Sequence, residues 1–116
     1  MSDFVDHLKE ILRSVGPIHA RRMFGGYGLY RDGVMFALVA QDTLYLKVDD
    51  VSVRHFASRG LTPFHYSRKD HNAVTMSYYL APEEMLEDPD AARVWAQRAY
   101  EAALRSKRKS GTKSTK

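Results

Sequence analysis

Four groups of residues in this sequence are of types that could do chemistry. A glycine cluster, Gly25-Gly26-Tyr27-Gly28, could cradle a phosphate, and five histidines could bind a metal. Serines and paired carboxylates could support hydrolysis, and the adjacent Arg21 and Arg22 could bind a polyanion. Each possibility depends on the elements that hold these side chains, so spacing and context decide among them.

The glycine cluster does not fit a phosphate loop. Such a loop follows a strand, opens a helix and carries Lys followed by Ser or Thr. Here residues with strand character follow, beginning at Leu29 and Tyr30. The pattern therefore favours a bend or bulge that lets the chain pass closely under a helix.

The histidines lack metal-ligand spacing, and the chain has no cysteine. The serines have no nucleophile-elbow context. The carboxylate pairs Asp49-Asp50 and Glu83-Glu84 are explained as helix starts, where acids stabilise the dipole. The sequence thus predicts no catalytic residues, no metal, no cofactor and no enzyme. The histidines are His7, His19, His55, His65 and His71.

The basic charge is concentrated at the C-terminal end. Residues 1–104 carry twelve Lys/Arg and fourteen Asp/Glu, whereas residues 105–116 carry six Lys/Arg and no acid. This run predicts weak, salt-sensitive phosphate binding at best. Neighbouring strand residues face opposite sides, so we expect one of Arg21 and Arg22 to be partly buried beside an acid. The candidate binding residues are Arg21, Arg22, Lys107, Arg108 and Lys109.

Seven tyrosines and five phenylalanines are many for 116 residues. Because aromatic residues favour strands, the pattern favours sheet core and rim. The alternative is an aromatic sheet face for a partner or for bases, which basic residues should surround. The nearest basic candidates are Arg21, Arg22, Lys47, Arg68 and Lys69.

Hydrophobic periodicity predicts a two-layer α+β fold with the element order α-βββ-α-ββ-α. A helical face spans residues 3 to 15, and Asp32-Gly33 is typical of a two-residue hairpin turn. Residues 43 to 48 alternate as in a strand, and Asp88-Pro89 opens a C-terminal helix. Runs of strands joined by tight turns favour an antiparallel sheet of about five strands with packed helices.

The length suits a single domain. We expect residues 1–105 to form that domain and residues 106–116 to form a disordered basic tail, because the tail has nothing to bury. The N-terminus lacks the features of a signal peptide, and no apolar run is long enough to span a bilayer. The expected location is therefore the cytoplasm.

Several blocks, taken in order, resemble the N-terminal domain of the TfoX/Sxy family of bacterial competence regulators. They are Arg21 to Tyr30, Asp32 to Ala37, Leu44 to Asp49, Ser77 to Glu83 and Trp95 to Ala99. The resemblance covers residues 3 to 105 and implies a two-layer α+β fold with an antiparallel sheet. It also implies a non-enzymatic role in transcription regulation, with no catalytic residues.

Three hypotheses for function follow. The first is a regulatory interaction domain that acts through protein partners of the transcription machinery, as a monomer or homodimer. The second is a direct, non-specific nucleic-acid binder that uses the basic tail. The third is a small-molecule-binding domain, which would need a deep pocket with convergent polar groups.

Overall fold

A computed structural model describes residues 3–23, 26–67 and 72–114 of the chain. These parts form helices packed on one antiparallel sheet. The helices are α1 (Asp3–Ile11), α2 (Val53–Ala57) and α3 (Pro89–Ser114), with 3-10 helices at Arg13–Val15 and Glu83–Leu86. The strands are β1 (His19–Met23), β2 (Gly26–Arg31), β3 (Val34–Ala40), β4 (Thr43–Lys47), β5 (Pro63–Ser67) and β6 (Asn72–Leu80).

The strands form an open antiparallel sheet in the order β1-β2-β3-β4-β6-β5. Strands β1 to β4 are a meander, and the predicted turn at Asp32-Gly33 is confirmed by positive φ values of 51° and 76°. The α+β class is also confirmed. The described residues form six strands rather than about five, because β1 is a separate strand that pairs Arg21 with Gly28.

The core lies between one face of the sheet and the helices. Leu29, Phe36 and Leu46 on the sheet are fully buried, as are Val5 and Leu8 of α1. The apolar spacing of α1 places one side of the helix against the sheet, so burial of that side stabilises both layers. The predicted helix at 3 to 15 is α1 followed by the short 3-10 helix.

Helix α3 lies closely against β3 and β4 because its inner side carries alanines. Ala92, Ala96 and Ala99 are fully buried. Its start is capped as predicted, since the Asp88 carboxylate accepts a hydrogen bond from the Asp90 amide at 2.9 Å. The helix extends to Ser114 and so includes most of 106–116. The disorder of that segment stays a prediction.

Polar contacts join α3 to the hairpin turn between β2 and β3. The Arg31 guanidinium donates to Gln97 Oε1 at 3.0 Å and lies 4.5 Å from the centre of the Tyr100 ring. The Tyr100 hydroxyl donates to Asp32 at 3.4 Å. These contacts set where α3 crosses the sheet. None of the helices in the described part of the chain is long and apolar enough to cross a membrane.

Candidate functional site

The sheet face opposite the helices is only partly covered. Along β4, Leu44 and Leu46 are buried under the helices, whereas Tyr45 and Lys47 between them are half-buried. Strand alternation therefore places Tyr45 and Lys47 on the other side. We call this surface the open face. It comprises Arg21, Met23, Tyr30, Met35, Leu38, Tyr45, Lys47, Phe64, Tyr78 and Leu80.

Gly28 lies beneath the open face on β2, next to the edge strand β1. A Cβ atom at this position would lie 2.7 Å from the Met23 sulfur, 3.1 Å from the Met35 sulfur and 3.1 Å from the Tyr30 ring. The bare backbone thus lets these three side chains lie across the strand. The result is a polarizable surface over β2.

Two cations lie over tyrosine rings on the open face. The Arg21 guanidinium carbon is 5.5 Å from the centre of the Tyr30 ring. The Lys47 ammonium nitrogen is 5.2 Å from the centre of the Tyr78 ring. Both distances are within cation–π range. Each pair therefore presents an aromatic ring and a positive charge at the same point of the surface.

The two pairs belong to one continuous surface. Tyr30 pairs with Met35 across β2 and β3, and Lys47 pairs with Tyr78 across β4 and β6. Burial, with a smaller effect from Tyr30, raises the pKa of the Tyr78 hydroxyl to about 12. Strands β3 and β4 also pair, so the surface continues from Tyr30 to Tyr78.

A second aromatic contact extends the open face toward β5. The Tyr45 and Phe64 rings meet edge to face, with centroids 4.8 Å apart. Leu38 pairs with Tyr45, and Tyr45 pairs with Leu80. Leu38 and Leu80 thus flank Tyr45 on the two neighbouring strands.

A cavity of about 360 Å³ lies at the edge of the sheet, between the turn from β2 to β3, the end of β4 and the C-terminal part of α3. Lys47 and Tyr78 line it from the sheet, and Ser106 and Lys107 line it from the helix. The remaining lining residues are Gly33, Val34, Met35 and Ala103. Two ammonium groups and two hydroxyls can thus converge here, which is donor chemistry suited to an anion.

Charge on the sheet is of one sign. None of the six strands that the structure describes contains Asp or Glu. The nearby acid Asp49 is paired with Arg105, whose Nε and Nη2 donate to it at 2.5 and 3.0 Å. Burial lowers the pKa of Lys47, and Asp49 opposes that shift. Because the described strands carry basic residues and no acids, the open face attracts negative charge.

Comparison with known proteins places the chain in a family. The sequence matches the TfoX N-terminal domain over residues 10–103, from within α1 to within α3. The chain belongs to the TfoX N-terminal domain family. The resemblance seen in its motifs is thereby confirmed.

This TfoX N-terminal domain is similar to two curated proteins. It is 28% identical over 99 residues to Protein Sxy of Escherichia coli K12, covering 85% of this chain and 47% of Sxy. It is 28% identical over 101 residues to the DNA transformation protein TfoX1 of Aliivibrio fischeri, covering 87% of this chain and 48% of TfoX1. The chain thus spans about half the length of these relatives.

The predicted binding residues of the domain divide into two sets. Arg21 and Arg22 are both exposed on β1. The expectation that one of them is partly buried is therefore wrong, because β1 is an edge strand.

Lys107 and Arg108 are exposed on α3, and Lys109 lies on the same helix. Arg21 contacts the Tyr30 ring of the open face, and Lys107 lines the cavity beside it. Binding by any of the five stays a prediction.

Three residues of the open face were not among the binding residues predicted from the sequence. Tyr30, Lys47 and Tyr78 come from three strands, and only the pairing of those strands brings them together. Period-two alternation over residues 43 to 48 did place Lys47 outward, but it could not show which strand lies beside it. Arg68 and Lys69, the other predicted neighbours of an aromatic face, lie outside the described residues.

The other candidate clusters have structural explanations where the structure describes them. At Gly26, a Cβ atom would collide with the Val39 carbonyl oxygen. The expected close approach is thus to strand β3 rather than to a helix, while Gly25 lies outside the described residues. The His7 Nε2 atom is 2.7 Å from the Leu86 carbonyl oxygen and joins α1 to the second 3-10 helix.

Proposed function

We propose that this TfoX N-terminal domain is a non-enzymatic regulatory interaction domain that acts in DNA transformation by docking a partner on its open face. Its relative TfoX1 is a DNA transformation protein by name. That relationship supports the biological role, and the open face supports the mode of action.

The observation that carries the mode of action is the composition of the open face. Aromatic and aliphatic side chains lie side by side there, and Arg21 and Lys47 lie above their rings. A contiguous apolar surface with polar groups at its margin is typical of a macromolecular interaction site. Such a surface binds by area and charge, and it needs no catalytic group.

Two partner classes follow from the sequence, and charge distinguishes them. A protein of the transcription machinery, the first hypothesis, would need an acidic surface to complement Arg21 and Lys47. A nucleic acid, the second hypothesis, carries that charge on every phosphate. The absence of acids from the described strands favours a polyanionic partner, while the protein hypothesis stays a prediction.

Gene replacement in the host bacterium tests the proposed function. The deletion strain receives the wild-type chain, the open-face variant Arg21→Gln/Lys47→Gln or the control Arg54→Gln/Arg93→Gln, which removes equal charge from exposed helical sites. We expect deletion to lower transformation frequency. The wild type and the control should restore it, and the open-face variant should not, at equal protein levels on immunoblots.

Two outcomes would contradict the proposal. Unchanged transformation after deletion would refute the role in DNA transformation. Full restoration by Arg21→Gln/Lys47→Gln would refute docking on the open face.

A further inference from the structure

We infer that the partner of the open face is single-stranded nucleic acid, with bases stacked on Tyr30, Tyr45 and Tyr78 and phosphates held by Arg21, Lys47 and Lys107. This inference rests on the proposed function for the choice of surface and adds the chemical class of the partner.

The tyrosines provide the stacking surface. Tyr30, Tyr45 and Tyr78 lie on β2, β4 and β6 and are half-buried, so each ring is held by its neighbours while part of it reaches solvent. Proteins that bind single strands without sequence preference use aromatic rings in this way, because every base has a π face.

The cations follow the same line as the rings. Arg21 lies over Tyr30, Lys47 lies over Tyr78, and Lys107 lines the same cavity as Lys47. Neighbouring strands are about 4.8 Å apart, so the path from β1 to β6 is about 19 Å long. At ~3.4 Å per stacked nucleotide, that path fits about five nucleotides.

The cavity beside α3 offers a seat for one phosphate of the strand. Lys47, Lys107 and Ser106 can all donate to phosphate oxygens there. Tyr78 also lines the cavity, and its neutral hydroxyl adds a further donor.

Geometry favours a single strand over a duplex. Base pairs in a duplex are stacked on each other, so their π faces are hidden. The rings at Tyr30 and Tyr78 lie on a sheet surface rather than on a projecting helix or arm. They can therefore stack only with bases that are already free of a duplex.

Fluorescence anisotropy of the full chain tests this inference. The probes are a labelled oligothymidine of about ten nucleotides, within the known range of site sizes, and a duplex of equal length. Titrations run across a salt series. We expect the single strand to bind at least about tenfold more tightly than the duplex, with affinity that falls linearly on a log–log plot against salt.

Three variants separate stacking from charge. Arg21→Gln/Lys47→Gln should reduce the salt slope by about 1.4, since each lost phosphate contact on a single strand removes ~0.7. Tyr30→Leu should weaken binding roughly tenfold at every salt concentration and leave the slope unchanged. The control Arg54→Gln/Arg93→Gln should bind as the wild type does. Circular dichroism establishes that each variant is folded.

Three results would overturn the inference. Equal affinity for single strand and duplex would mean simple attraction to phosphates. If Arg108→Gln/Lys109→Gln lost binding while the open-face variants bound as the wild type does, the binding site would be the end of α3. If the chain bound neither probe and the open-face variant failed to restore transformation in the host, the partner would be a protein. The proposed function would then stand.

Discussion

Asp49 and Arg105, 56 residues apart, form a two-point ion pair between the end of β4 and helix α3. Arg105 Nε and Nη2 donate to the two carboxylate oxygens at 2.5 and 3.0 Å. The same carboxylate accepts a hydrogen bond from the Ser52 amide at 3.0 Å. One acid thus fixes α3 against the sheet and begins the turn that leads to α2.

The Asp49–Arg105 pair should make stability depend on acid pH. The hydrogen bond from Arg105 lowers the pKa of Asp49 from 3.8 to about 2. The stabilisation by this ion pair is fully present above pH 3.8, the pKa of Asp49 in the unfolded chain, and it is lost as the pH falls toward 2. We expect Asp49→Asn to lower the free energy of unfolding by about 2 kcal/mol at neutral pH, as measured by urea denaturation.

The neighbouring Asp50 is the control for that measurement. Its side chain is exposed. The free energy of unfolding of Asp50→Asn should therefore vary with pH between 5 and 2 much as that of the wild type does. An equal loss in both variants would show that the Asp49–Arg105 geometry does not stabilise the fold.

Two glycines of β2 should respond differently to alanine. At Gly26 the new methyl group meets a backbone carbonyl that cannot move away, whereas at Gly28 it meets flexible methionine side chains. We expect Gly26→Ala to lower the free energy of unfolding by at least about 2 kcal/mol, and Gly28→Ala to lower it by less than about 1 kcal/mol. Chemical denaturation followed by circular dichroism measures both, and equal costs would refute the difference in packing.

Tyr78 should make stability fall at alkaline pH. The pKa of its hydroxyl is about 12 in the folded chain and near 10 when unfolded. The unfolded state therefore releases its proton first, and the free energy of unfolding decreases as pH rises from 10 to 12. Ultraviolet titration of phenolate should show one tyrosine in the wild type that ionises late, and Tyr78→Phe should remove it.

Trp95 should be the most costly single position on α3. Its ring meets Phe56 at 5.1 Å between centroids and lies between the guanidinium groups of Arg59 and Arg98. We expect Trp95→Ala to cost about 3–5 kcal/mol. The adjacent Val94 is 49% exposed, so Val94→Ala should change stability by less than about 0.5 kcal/mol. Similar losses in both would contradict the assignment of Trp95 to the core.

Much of the fold could be predicted because its signals are local. The Asp32-Gly33 turn follows from the backbone freedom of its residues, and the capped start of α3 follows from Asp88. The strand character of residues 18 to 24 was recognised, but β1 was not counted as a strand separate from β2, because His19–Met23 has no clear alternation. Its identity as a strand depends on pairing with β2, which no local pattern records.

Much less of the candidate site could be predicted. Arg21 and Lys107 were named from charge alone, and contacts with Tyr30 and with the cavity now place them. Lys47 was named as a possible basic neighbour of an aromatic sheet face, but the sequence did not pair it with Tyr78. Their meeting requires β6 to pair with β4, which is a long-range contact.

By itself, the sequence determined the α+β class, the Asp32-Gly33 turn and the start of α3, because periodicity, turn chemistry and helix capping act over a few neighbouring residues. Only the tertiary structure decided that Tyr30, Lys47 and Tyr78 share one face and that Asp49 meets Arg105. These pairings depend on strand order and on the angle at which α3 crosses the sheet. Packing of the whole core sets both, so no short segment encodes them.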